Sequence, residues 1–153
     1  SFALSNMARP GGAKSAELLQ DGGAASILES IRATHAEDLA VEASWLLSHV
    51  LASSPGDNSQ QLLLNAGIAE LLVSLVPAAA NRDALLSPLL RCLGHALSRH
   101  GLLSTAVATR LLQSPGALQT LLIILSPASA KAPFLRRETC WLLANLSALS
   151  PAA

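Results

Sequence analysis

One block of sequence recurs three times along this 153-residue chain, and that recurrence restricts the fold more than any other feature. Leu18-Leu19-Gln20-Asp21-Gly22-Gly23-Ala24-Ala25-Ser26-Ile27-Leu28-Glu29-Ser30-Ile31 aligns with Leu62 to Leu75, and again with Leu112 to Leu125. Leu18, Leu62 and Leu112 correspond, as do Ile27, Leu71 and Leu121, then Ile31, Leu75 and Leu125, in steps of 44 and 50 residues. A period of that size belongs to stacked supersecondary units, each too small to bury its apolar face alone. Each unit reads as a short first helix, a glycine corner, a second helix with apolar positions three and four apart, a polar loop and a longer third helix. Gly22-Gly23, Gly67 and Gly116 are expected to make the corners, where a side chain would obstruct packing or a positive φ. The spacing predicts a single domain over 1–153. Residues 1–9 are expected to be the last helix of a truncated unit, followed by units at 13–54, 55–100 and 101–150.

Apolar residues make up 51% of the chain but aromatics only 3%, with no Tyr, so the core must be aliphatic. Leu and Ala favour helices, and the β-branched and aromatic residues that favour strands are scarce, which makes the fold class all-α. Charged residues are 13%, about half the usual quarter. A surface so poor in charge is weakly protected against association and suits a segment of a larger parent chain. No stretch reaches the ~18 uninterrupted apolar residues of a membrane span. The densest, Leu118 to Leu125, is broken by Gln119 and Thr120 and reads as a buried helix, so membrane insertion of this segment is not expected. The chain opens in a helical pattern and carries no signal-peptide pattern. Cys92 and Cys140 lack metal-type spacing, which suits an intracellular compartment, cytoplasmic or nuclear, and inert buried thiols. Asn145-Leu146-Ser147 matches a glycosylation sequon inside an expected helix and is read as chance.

Serine precedes proline at 54–55, 87–88, 114–115, 126–127 and 150–151. Ser before Pro serves as a helix N-cap with its first residue, or as a loop. Ser87-Pro88 falls within a third-helix pattern, so that helix is expected to start or bend there. Charge is unevenly spread. Residues 1–70 hold eight acids and three bases, and residues 71–153 hold two acids and seven bases, giving −5 against +5. Solvated faces account for this most simply.

The third helices carry the functional signal. Val41-Glu42-Ala43-Ser44-Trp45-Leu46-Leu47-Ser48-His49-Val50 and Arg137-Glu138-Thr139-Cys140-Trp141-Leu142-Leu143-Ala144-Asn145-Leu146 share a form, which Phe2-Ala3-Leu4-Ser5-Asn6-Met7 echoes. A large side chain followed four residues later by a polar one puts both on one helical face. Across the units the rungs are Phe2/Asn6, Trp45/His49, Arg91/His95 and Trp141/Asn145.

These features resemble the armadillo repeat, and most closely its importin-α branch, whose third helices carry Glu-Ala-x-Trp-x-Leu-x-Asn. Glu42 to His49 and Glu138 to Asn145 follow that signature, and the resemblance covers nearly the whole chain. It implies a right-handed superhelical solenoid of three-helix repeats. It also implies that an extended peptide lies along the third helices, with Asn amides on its backbone and Trp faces against its basic side chains. An amide can donate and accept at once, and an indole face stabilises a cation by roughly 0.5–2 kcal/mol. The departures change the ligand. Asn gives way to His49 and His95, Trp to Arg91, and one turn on stand Pro10, Ser53, Arg99 and Leu149, none acidic. Arg91, His95 and Arg99 on one face would repel a basic signal and invite a carboxylate or phosphate.

The resulting expectation is a non-catalytic scaffold for a protein or extended peptide, with a degenerate Trp/Asn groove. A nuclear import adaptor and a purely structural segment are the alternatives. No phosphate-cradling loop, metalloprotease motif, paired-cysteine spacing or nucleophile elbow is present, so no enzyme, cofactor or metal site is expected. Zero net charge and few aromatics argue against a dedicated nucleic-acid partner.

Overall fold

The computed structural model describes residues 12–33 and 35–149, which form nine α-helices and no strand. The expected leading helix, with Phe2 and Asn6, lies outside the described residues. The helices fall into three successive triplets. The first is α1 (Gly12–Leu19), α2 (Gly23–Arg32) and α3 (Glu37–Ala52). The second is α4 (Asp57–Asn65), α5 (Ile68–Ala78) and α6 (Asp83–Leu97), and the third α7 (Leu102–Leu112), α8 (Pro115–Leu125) and α9 (Pro133–Leu149).

The first two corners turn at Gly22 and Gly67, with φ of 83° and 90°. That left-handed backbone costs an L-residue about 1–2 kcal/mol, which is why glycine holds both sites. The third corner departs from expectation: Gly116 lies inside α8 without a positive φ, and Ser114-Pro115 make the turn as N-cap and first helical residue. Pro fits there because its missing N–H would have no partner anyway. Ser87-Pro88 does not start a helix either. α6 begins at Asp83 and runs through Pro88, whose ring is buried.

The core is aliphatic throughout. Leu28, Leu47, Leu63, Leu72, Leu89, Leu90 and Leu93 are fully buried, each stabilising the fold by about 1.5–3 kcal/mol relative to exposure. α6 packs against both α3 and α9, the most extensive helix–helix contacts in the chain. The thiol of Cys92 donates to the Ser44 carbonyl at 3.3 Å across the α3–α6 interface, and Ser44 Oγ returns to Ala40 O at 2.7 Å. Among the described residues no buried side-chain polar atom lacks a hydrogen-bond partner.

Burial also corrects the repeat register. Leu19, Leu63 and Leu111 share the buried position of the first helices, whereas Leu112 is 60% exposed. In the second helices Leu28, Leu72 and Leu121 match in burial, then Ile31, Leu75 and Ile124, so Leu125 is displaced from its expected place. Contiguous leucines look alike to a sequence comparison, yet a helix buries only those at its own 3.6-residue phase.

The uneven charge joins neighbouring units. Arg82 of the second unit reaches Glu37 of the first at 3.1 Å, Arg110 of the third reaches Glu70 of the second at 2.8 Å, and Lys131 reaches Asp83 at 2.6 Å. In each pair the base comes from the later unit, and the first two pairs join the acidic half of the chain to the basic half. Exposed pairs of this kind contribute roughly 0–1 kcal/mol each, so they set register more than stability.

The far end of the stack is apolar and uncovered. Leu122 is 63% exposed, whereas Val73, its counterpart in the middle unit, is 2% exposed beneath the unit that follows. Among the described residues no single helix is long and apolar enough to cross a membrane; the α4–α5 pair passes on length and composition only when joined across its 60° bend.

Candidate functional site

The third helices place three of the rungs in reach of one another, because α6 lies against both α3 and α9. Trp45 on α3 is half-buried. Its ring stacks on His49, one turn on, at 6.5 Å between centroids and 29°. The Arg91 guanidinium of α6 lies over the same indole, 6.0 Å from its centroid. On its other side Arg91 Nε donates to Glu138 Oε1 of α9 at 3.2 Å. One guanidinium therefore ties α3 to α9 across α6.

Trp141 is 36% exposed and sits edge-on to His95, 5.0 Å between centroids and 78° between planes. This close approach depends on Gly94, because a Cβ there would run into the Trp141 ring. Asn145 Nδ2 donates to the Gly94 carbonyl at 3.0 Å, so both members of this rung hold the same glycine. One of the two Nδ2 hydrogens of Asn145 is thus engaged within the chain.

Arg91, His95, Arg137, Glu138 and Trp141 line an open cleft of about 340 Å³ between α6 and α9. Arg99 does not line this cleft but shares a smaller cavity with His95, Pro55 and Gln60. Of the expected Arg91–His95–Arg99 face, Arg91 is ion-paired to Glu138, and His95 and Arg99 share the smaller cavity. Cys92 is buried, and burial pushes its thiol far above the usual range. Cys140 is exposed, contrary to the expectation of two buried thiols. Among the described residues no group of three His, Cys, Asp or Glu side chains is placed to hold a metal ion.

Burial holds the His95 pKa below its ordinary 6.5, and the charge of Arg91 adds to the depression, with His49 pushing the same way and Glu138 opposing. The unfolded chain therefore takes up a proton on this residue at a higher pH than the folded one. Stability is fully present above about pH 6.5 and falls as pH drops through that value toward the lower folded pKa. Unfolding midpoints measured across this range are expected to decline in the wild type and to flatten in His95→Gln; equal slopes would remove His95 as the cause.

Two residues that sequence reasoning left out shape this site. Gly94 carried a signal, since a lone glycine in a helix interior marks a close approach. Glu138 stood within the quoted helix motif, but its pairing across helices is visible only once α6 and α9 are packed. A further cavity, of about 740 Å³, lies away from the rungs, between the end of α2, α5 and the α7–α8 corner. There Glu70 faces Arg110 and Arg32; its own backbone hydrogen bond, then Arg110, hold its carboxyl below the usual range.

No protein-family model and no curated protein sequence matches the chain. Among solved structures it is similar to computationally designed armadillo repeat proteins for modular peptide recognition, with 18% identity and a TM-score of 0.73 over 94% of this chain and 55% of that one. The fold is that of an armadillo-repeat solenoid. An engineered protein aligns with a TM-score of 0.73 and 20% identity over 95% of this chain and 55% of its own. A designed armadillo repeat protein aligns at 0.61 and 16% identity, over 96% and 74%. The chain spans just over half the length of the first two structures.

Proposed function

We propose that this armadillo solenoid is a non-catalytic binding module that takes an extended peptide along the wall formed by α3, α6 and α9. The observation that carries the reading is the set of part-exposed rungs on three adjacent helices: Trp45/His49, Arg91/His95 and Trp141/Asn145. Aromatic faces supply contact area at small entropic cost, and the Asn145 Oδ1 and His rings supply polar contacts to a backbone. Solved neighbours designed for modular peptide recognition share the fold, which adds support. Two free thiols, Cys92 and Cys140, suit a reducing cytoplasmic or nuclear setting.

Nuclear import of basic signals is the less favoured version of this reading. Arg91 covers the Trp45 face, and one of the two Asn145 amide hydrogens is held by Gly94. A second reading, a structural segment packed against further chain, draws on the uncovered Leu112, Leu122 and Ile123 at the end of α7 and on α8. Affinity capture separates them. Partners lost from Trp45→Ala/Trp141→Ala but kept by Leu122→Glu/Ile123→Glu support the groove. The opposite pattern sinks it and supports the structural reading.

A further inference from the structure

We propose that Ser114 is a phosphorylation site whose phosphate group enters the 740 Å³ cavity between the units and is received there by Arg110, with Arg32 beside it. This site lies away from the third-helix groove and does not depend on that reading. Ser114-Pro115 form the corner between α7 and α8, and the Ser114 hydroxyl makes no cap hydrogen bond to α8. Ser114 is half-buried, while Gln113, Pro115 and Gly116 around it are exposed. The other Ser-Pro pairs among the described residues are less suited. Ser87 precedes a proline buried inside α6. Ser126 Oγ already accepts from the Ala128 N–H at 3.3 Å. Ser54 shares with Arg99 a cavity of about 20 Å³, which has room for a water but not for a phosphate.

Three units bring charge to this cavity. Arg110 Nη2, from the last turn of α7, donates to Glu70 Oε1 at 2.8 Å. Arg32, at the end of α2, donates from Nη2 to the Ala66 carbonyl at 3.0 Å. A Cβ at Gly67 would meet both Arg32 Nη2 and Glu70 Oε2, at 3.0 and 3.7 Å, so the two guanidiniums converge on one carboxylate. Glu29, 77% exposed, reaches Arg32 Nη1 at 3.4 Å. The Ser114 N–H donates to Leu111 O at 3.1 Å, which keeps Ser114 wound onto the turn that carries Arg110. Phosphoserine carries about −1.5 to −2 charges at pH 7 and three acceptor oxygens, against the single charge of a carboxylate. Arginine meets a phosphate with paired N–H donors. A phosphate at 114 therefore draws Arg110 away from Glu70, and a contact between the second and third units becomes one inside the third. Glu70 keeps Arg32 beside it. In the transfer, Ser114 Oγ attacks the γ-phosphorus of a nucleoside triphosphate held by a proline-directed kinase. The bond to the bridging oxygen breaks, the nucleoside diphosphate leaves with that electron pair, and the hydroxyl proton passes to a base of the kinase.

The test has two arms. In the first, the folded chain is incubated with a proline-directed serine/threonine kinase and ATP, and phosphate is mapped by mass spectrometry. Phosphate is expected at Ser114 and absent there in Ser114→Ala; a folded wild type that takes none at Ser114 overturns the proposal. In the second, phosphorus NMR follows the titration of the phosphoserine at 114. Its second ionisation, ordinarily near pH 6, is expected about one pH unit lower than in a free phosphopeptide of residues 112–117. Arg110→Gln should remove most of that shift and Arg32→Gln a smaller part. The end of α8 contributes equally in all three proteins, so the dependence on Arg110 decides. An unchanged midpoint in Arg110→Gln overturns the proposal. Should that variant lose helical signal, wild type in about 1 M salt supplies the reading, because screening then reaches about 3 Å. The difference from the peptide must shrink there; one that salt leaves intact overturns the role of the arginines.

Discussion

Gly94→Ala is expected to destabilise the protein by about 2 kcal/mol, although the same change stabilises an ordinary helix interior by about 1 kcal/mol. The new Cβ would enter the space held by the Trp141 ring. Overpacking of this kind costs typically 1–3 kcal/mol. The Asn145 bond to the Gly94 carbonyl is worth about 1 kcal/mol and the Trp141–His95 edge contact about 0.5–1.5 kcal/mol, and both weaken if the ring moves. Clash therefore outweighs propensity. A thermodynamic cycle isolates the cause: in a Trp141→Ala background the ring is gone, and Gly94→Ala should become stabilising. Denaturant midpoints for the four proteins decide it. A stabilising Gly94→Ala in the presence of Trp141 would falsify the account of how this rung is held.

The repeat and its helices are legible in the sequence because they rest on local chemistry. Glycines at Gly22 and Gly67 mark corners that only a permissive backbone makes, and Leu-rich helices between polar loops follow from propensity. Phase was not legible. Leu111-Leu112 and Leu121 to Leu125 are near-continuous apolar runs, so a one-residue shift changes little in sequence but exchanges a buried for an exposed side chain. The same limit applies at the rungs. Trp45, Arg91 and Trp141 could be placed on helical faces from spacing alone, but the partner of Arg91 could not. Which acid reaches it depends on how α9 slides along α6, and loops of unequal length set that. The uneven charge was visible as a count, while its use between units required knowing which helices touch.

The middle third helix should matter more to stability than its neighbour at the end. Leu93 of α6 and Leu142 of α9 are both fully buried, so truncation to alanine removes similar transfer energy and leaves a similar cavity, costing about 2–5 kcal/mol. Their surroundings differ. α6 packs against α3, α5, α7 and α9, whereas α9 packs against α6, α7 and α8. In a stack held by neighbour interfaces, loosening the centre weakens two interfaces and loosening the end weakens one. Leu93→Ala is therefore expected to lower the melting of the whole chain as one transition. Leu142→Ala should instead separate an early loss of the last unit from the melting of the first two, seen as a broadened or two-step thermal curve. The wall of α3, α6 and α9 shares this dependence, because Arg91, Gly94 and His95 all stand on α6 beside Leu93. Any partner that bridges the rungs should raise the Leu93→Ala midpoint more than it raises that of Leu142→Ala, since ligand binding stabilises only the state in which both interfaces are closed. Identical single-step curves for the two variants would show that the three units unfold as one body, and the end unit would then have no separate stability.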